Sequence, residues 1–243
     1  MKKAIKIRNL TKIFNKKVRA VDNISFDVLE GEIFGLLGSN GSGKSTTLRM
    51  LATVLEPTSG RIDFQKADHN RNKIRNIIGY IPQQDLLYED LSVTDNLKLF
   101  SRSYNLSDKQ RMQKMEDLLD KLELVKYRRY FAGDLSGGYK KRLSIAIALL
   151  HDPKIIIADE ITIGLDPDLR GKIWDLLFEL KKESSIIFTT HYLEEAEKLC
   201  DHIALMDLGK ILVRGKPQEI IKANECENLE CVFRKLVVNK KKR

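Results

Sequence analysis

The stretch Gly38-Ser39-Asn40-Gly41-Ser42-Gly43-Lys44-Ser45-Thr46 constrains this chain more than any other. An apolar run, Ile33-Phe34-Gly35-Leu36-Leu37, leads into it, and Leu48, Leu51, Ala52 and Leu55 fall on one face of a helical pattern behind it. Strand, glycine loop and helix in that order fit the phosphate-loop pattern G-x-x-x-x-G-K-[ST]. Glycines let backbone N–H groups close around phosphate oxygens, and the helix N-terminus faces the same anion. In that geometry Lys44 reaches the outer phosphates and the Ser45 hydroxyl holds Mg²⁺. The nine residues alone also fit a plain glycine-rich turn before a helix, so the rest of the chain decides between the two.

With 243 residues, 42% hydrophobic and 32% charged, the chain has a core to bury and is not a disordered polypeptide. No apolar run approaches the ~18–20 residues that cross a bilayer. The start Met1-Lys2-Lys3-Ala4-Ile5-Lys6 puts charge where a secretory signal carries its apolar region, so a cytoplasmic location is expected. The formal charge of +9 is uneven: residues 1–30 carry eight Lys/Arg against three Asp/Glu, and residues 231–243 carry six against none. The body between them is close to balance, unlike the basic stripe of a nucleic-acid binder. The tip Lys240-Lys241-Lys242-Arg243 fits either a solvated terminus or a contact with anionic lipid headgroups. Cys200, Cys226 and Cys231 make an odd, sparse set with neither a disulfide framework nor zinc-ligand spacing, and reduced thiols are expected.

Along the chain, Ile5 and Ile7, then Ile24, Phe26 and Val28, alternate as strands do. Glu30-Gly31-Glu32 reads as a turn, and Pro57-Thr58-Ser59-Gly60 ends the first helix before a short strand at 61–64. Ser92 reads as an N-cap, with Val93, Leu97, Phe100 and Tyr104 on one face. Ser107…Gln110 has capping-box spacing ahead of Met115, Leu118, Leu119 and Leu122. Ile155-Ile156-Ile157-Ala158 has the uniform apolarity of a buried parallel strand. Pro167 suits the first position of a helix with Ile173, Leu176, Leu177 and Leu180 inward. A strand over 185–190, a short helix with Leu193, Ala196 and Leu199 inward, and a hairpin at 203–213 complete the reading. It predicts an α/β fold with an antiparallel N-terminal β portion and a helical insertion at about 86–150.

Several side chains stand where this fold places chemistry. Asp159-Glu160 closes the 155–158 strand, at the sheet edge where ligands bind. Asp159 can hold Mg²⁺ opposite Ser45, and Glu160 can orient and deprotonate an attacking water. Leu135-Ser136-Gly137-Gly138-Tyr139 precedes a helix that Ser136 can cap. It reads as a second anion site or as a plain helix start. His191 ends the 186–190 strand and could share the Asp159 crevice. Gln83 carries a side-chain carbonyl able to meet Mg²⁺ or its water, or is an ordinary loop glutamine. His69, His151 and His202 lack such placement.

The order of these features, Gly38–Thr46, Gln83, LSGGY at 135–139, IIIADE at 155–160, Gly164-Leu165-Asp166 and His191, resembles that of ATP-binding cassette ATPases, over the chain to about residue 215. The resemblance implies a P-loop NTPase core within residues 1–225, mainly parallel sheet flanked by helices, followed by a short segment 226–243. It implies ATP and Mg²⁺ as cofactors, and Phe14 as an aromatic that stacks on adenine. It implies a head-to-tail dimer in which Ser136, Gly137 and Gly138 contact the γ-phosphate held by the partner subunit's Lys44, with Asp166 at the dimer seam. It further implies a separate transmembrane permease facing Gln83 and the insertion, no nucleic-acid partner, and peripheral attachment at the cytoplasmic face of the membrane. Phe188–Glu197 and Leu229–Phe233 are similar to drug-exporter ATPases of the daunorubicin-resistance kind. A soluble cassette serving a non-membrane assembly, such as iron–sulfur cluster scaffolding, is the alternative. Tyr139 departs from the family's usual Gln and Ile161 from its usual Pro.

Overall fold

The computed structural model describes residues 2–65, 67 and 70–241; His69, Lys242, Arg243 and the side chains of Lys240 and Lys241 lie outside that description. Alternation in the first sixty residues folds as expected. Strands β1 (Lys3–Phe14) and β2 (Val18–Leu29) pair antiparallel, with Ile5, Ile7, Phe26 and Val28 fully buried. Asn15 and Lys16 both have positive φ in the three-residue turn between the two strands, where Lys17 N–H donates to the Phe14 carbonyl at 3.0 Å. After β3 (Ile33–Gly38) and helix α1 (Lys44–Leu51), strand β4 (Ser59–Phe64) joins the other edge of β1. Helix α1 is shorter than the apolar face predicts. It stops at Leu51 and Thr53 turns to φ +56°, yet Leu55 still packs on the core from the turn beyond.

The main sheet has the order β5-β6-β7-β3-β8-β9, where β5 is Ile78–Ile81, β6 Ile155–Asp159, β7 Ser185–Thr190, β8 His202–Asp207 and β9 Lys210–Gly215. All neighbours run parallel except the edge pair β8–β9. Strands β3, β6 and β7 are buried along their whole length, because helices cover both faces of a parallel sheet. Burying each large apolar side chain there contributes about 1.5–3 kcal/mol. Helix α2 (Arg71–Ile77) and strand β5 are elements that the apolar patterning did not reveal.

The helical insertion holds α3 (Val93–Ser101), α4 (Asp108–Lys121) and α5 (Gly137–Leu149). Ser92 caps α3 through Asp95 N–H, and Ser107 and Gln110 form a reciprocal capping box on α4. Helices α6 (Pro167–Leu180) and α7 (Leu193–Leu199) follow β6 and β7. Helices α8 (Pro217–Ala223) and α9 (Leu229–Lys241) end the chain. Leu229 and Val232 of α9 are fully buried in one cluster with Leu37, Ile203 and Leu205, so the C-terminal helix is seated on the sheet's own core.

The expectation of reduced thiols at Cys226 and Cys231 needs correction. The two are bonded to each other, their Cα atoms 5.7 Å apart. Glu225 at φ +53° turns the chain back after α8, and the Asn228 side chain accepts from Cys231 N–H at the start of α9. That tight return brings together two thiols whose spacing in sequence carries no such signal. Cys200 remains free.

Candidate functional site

The parallel sheet delivers its polar residues to one edge. The carboxyl ends of β5, β6, β7 and β3 lead respectively into Gln83, Asp159-Glu160, His191 and the glycine loop. The loop leaves β3 at Gly38 and enters α1 through Gly43, whose φ is +105°. A Cβ on Gly43 would collide with the Ala20 carbonyl of β2, so close backbone approach and positive φ both demand glycine. Ser39, Asn40 and Gly41 are exposed at the tip, Gly38 and Ser42 are buried, and Thr46 is half-buried in the first turn of α1.

Lys44 is 4% exposed, and its ammonium donates to the carbonyls of Gly38 (2.8 Å) and Ser39 (3.0 Å). Burial pushes it below the ordinary lysine range, against the opposing pull of Glu160 and Asp159. Ser45 Oγ donates to Asp159 Oδ1 at 3.0 Å, so α1 and β6 bring these two side chains together. Thr189, which sequence reasoning passed over, donates to the same Asp159 oxygen at 2.6 Å and accepts from Glu160 N–H at 2.9 Å. Its one sequence signal is its place, level with Asp159 in the β6–β7 register.

Glu160 has φ +48°, a conformation that costs a non-glycine residue energy and occurs mainly where the surroundings enforce it. Two other candidate site residues meet its carboxylate. Gln83 Nε2 donates to Oε2 at 2.9 Å, and His191 Nδ1 stands 3.5 Å from Oε1. Gln83 therefore meets Glu160 rather than the Ser45–Asp159 pair. His202 instead pairs with Glu32 at 2.7 Å, and His151 stacks on Tyr104 with its Nε2 on the Ile78 carbonyl.

Other predicted residues stay apart from this crevice. Ser136 is exposed and occupies the N-cap position of α5 without making the side-chain cap expected of it, which leaves its hydroxyl free of a helix bond. Gly137 is open to solvent, and a Cβ on Gly138 would strike the Leu169 side chain. That contact sets the start of α5 beside the start of α6. There Asp166 caps Leu169 N–H at 3.0 Å, a bond that holds the Asp166 carboxyl below the usual carboxylate range. Among the described residues, no hydrogen bond or ion pair joins 136–138 to the glycine loop. Phe14, at the end of β1, is 37% exposed, with Lys12 Nζ 5.3 Å from its ring centre. Ile161 is buried in the core, and the Tyr139 ring lies 4.1 Å from that of Tyr127.

The family model described as ABC transporter matches residues 21–163, more than half of the chain. The chain belongs to the ABC transporter family. A curated relative of this ABC ATPase is the Nod factor export ATP-binding protein I of Cupriavidus metallidurans, 40% identical over 89% of this chain and 72% of that one. Among solved structures, an ATP-binding subunit of an ABC transporter is similar with a TM-score of 0.87 and 28% identity, over 96% of this chain and 99% of the other. An ATP-binding cassette solved as a dimer in a post-hydrolysis state with ADP and Pi is similar at TM-score 0.79 and 28% identity, over 87% and 98%. The ABC ATPase described here binds and hydrolyses ATP, and such ATPases dimerise and work with transmembrane subunits. Among its described residues, no helix is long and apolar enough to cross a membrane.

Proposed function

We propose that this chain powers export, acting as one of a head-to-tail pair of cassettes under a separate permease at the cytoplasmic face of the membrane. The seat of Glu160 carries the catalytic part of the reading. Its strained backbone and the side chains of Gln83 and His191 point one carboxylate into the crevice beside Ser45 and Asp159.

Lys44 supplies the cation for the outer phosphates, with the backbone N–H groups of the exposed residues 39–41 as further donors. The Ser45 hydroxyl and Asp159 carboxylate are hard oxygen donors suited to Mg²⁺, and Thr189 fixes the orientation of that carboxylate. Held there with ATP, Mg²⁺ would supply positive charge to the phosphates. Glu160 accepts the proton of the attacking water, and Gln83 and His191 hold it in line. Phe14 offers an accessible ring face to adenine. Ser136, uncapped and exposed, offers its hydroxyl to a nucleotide on a second copy.

The membrane partner is supported by an exposed apolar group near the Gln83 segment. Leu86 and Tyr88 lie at one side of it, and Tyr130 and Phe131 stand where that strip of backbone pairs with the 88–93 segment. Exposed aromatic clusters of this kind mark protein interfaces. The outward direction is supported by relatives named for export.

The test is Glu160→Gln. Turnover is expected to fall at least about a hundred-fold, ATP binding to persist, and a dimer to appear in size-exclusion chromatography only with ATP. A variant that hydrolyses ATP at the wild-type rate removes Glu160 from this role. Copurification of a polytopic membrane protein checks the permease.

A further inference from the structure

Lys141 is a lysine with 4% exposure in the second turn of α5, four residues after Gly137 and so on the same helix face. Its ammonium forms an ion pair with Asp85 Oδ1 at 2.9 Å and donates to the carbonyls of Gln83 at 3.2 Å and Pro82 at 3.4 Å. All three belong to the segment leaving β5. The neighbouring cations on this turn go elsewhere, Lys140 to Glu89 and Arg142 to Glu123 and the Leu122 carbonyl. Only Lys141 among them grips the segment whose next side chain, Gln83, donates to Glu160 Oε2 at 2.9 Å.

We infer that Lys141 is a positioning residue: it ties the helix that begins at Ser136 to the Gln83 segment, and so sets the orientation of Glu160. A buried ammonium is tolerated only where a counter-charge and acceptors meet it, and here the 82–85 segment supplies both, so its backbone follows α5 when α5 moves. The helix that presents Ser136 to a partner's nucleotide is thereby the helix that holds the base of its own site. The inference rests on Glu160 being the base.

The experiment measures ATP turnover, ATP binding and thermal midpoint for the purified full-length chain and for Lys141→Met, Lys141→Arg, Asp85→Asn, Gln83→Ala and the Gln83→Ala/Lys141→Met pair, beside Glu160→Gln. Loss of orientation predicts that Lys141→Met lowers kcat about ten- to a hundred-fold with KM for ATP within about two-fold. Lys141→Arg should restore most of kcat. Because Lys141 acts through Gln83, the double variant should be no slower than Gln83→Ala alone. A kcat for Lys141→Met equal to wild type, or losses that multiply in the double variant, would overturn the inference even with a lowered thermal midpoint. If Lys141→Met does not fold, Asp85→Asn carries the same comparison with Gln83→Ala. Glu160→Gln separates the two readings: wild-type turnover there sinks the assignment of the base. An inactive Glu160→Gln beside an unimpaired Lys141→Met sinks only the link through Lys141.

Discussion

At Glu160 the backbone turns to φ +48° at the end of a strand whose preceding residues are all buried. The bond from its N–H to Thr189 and the contacts of its carboxylate with Gln83 and His191 over-determine that unfavourable conformation. Lys44 shows the opposite compromise. Its charge is needed for phosphate, while burial disfavours it. A lysine loses its proton as pH rises through its pKa, so a lowered pKa means the cation is lost earlier than for a free lysine, near 10.4. ATP affinity should therefore begin to fall in the alkaline range below that value, about ten-fold per pH unit beyond the Lys44 pKa. Equilibrium ATP binding from pH 7 to 11, beside the titration of free lysine, checks this; an affinity that starts to fall only above the free-lysine value contradicts it.

Among the elements, capping signals translated directly into structure where the cap is purely local. Ser92 and the Ser107–Gln110 box close helices whose apolar faces then pack as their spacing predicts. Ser136 has the same residue type at the same position and makes no cap, so residue identity alone does not separate a capping serine from one left free for a ligand. Helix α9 gains its place from tertiary packing. Leu229 N–H donates to Glu197 at 2.6 Å and the Leu229 side chain is fully buried. Leu229→Ala should cost about 2–4 kcal/mol of stability, measured by denaturant unfolding, while ATP affinity of the folded protein stays within about two-fold, because Lys44 and Ser45 make their bonds to Gly38, Ser39 and Asp159 and not to α9. A loss of affinity on that scale would mean α9 supports the site directly.

For the whole molecule, one chain assembles Lys44, Ser45, Asp159 and Glu160 on one edge, while Ser136–Gly138 and Asp166 gather where α5 meets α6. In the proposed head-to-tail pair, a second copy brings the two sets together. Ser136→Arg places a bulky cation at an exposed position, so it should leave ATP binding to the single chain intact. In the Glu160→Gln background it should abolish the ATP-dependent dimer, read by size-exclusion chromatography. Dimers that persist would remove Ser136 from the interface.

The sequence alone determined most strands, most helices and the candidate residues for phosphate, Mg²⁺ and proton transfer, because those depend on local spacing and on side-chain chemistry. Tertiary structure decided what spacing does not encode. It bonded Cys226 to Cys231 across a turn, set Thr189 on Asp159 through strand register, and moved Gln83 onto Glu160. The phosphate loop needed glycines that any reader of the chain can find. The pointing of Glu160 needed β5, β6 and β7 side by side, and contacts between residues dozens of positions apart are selected by the packing of the whole core.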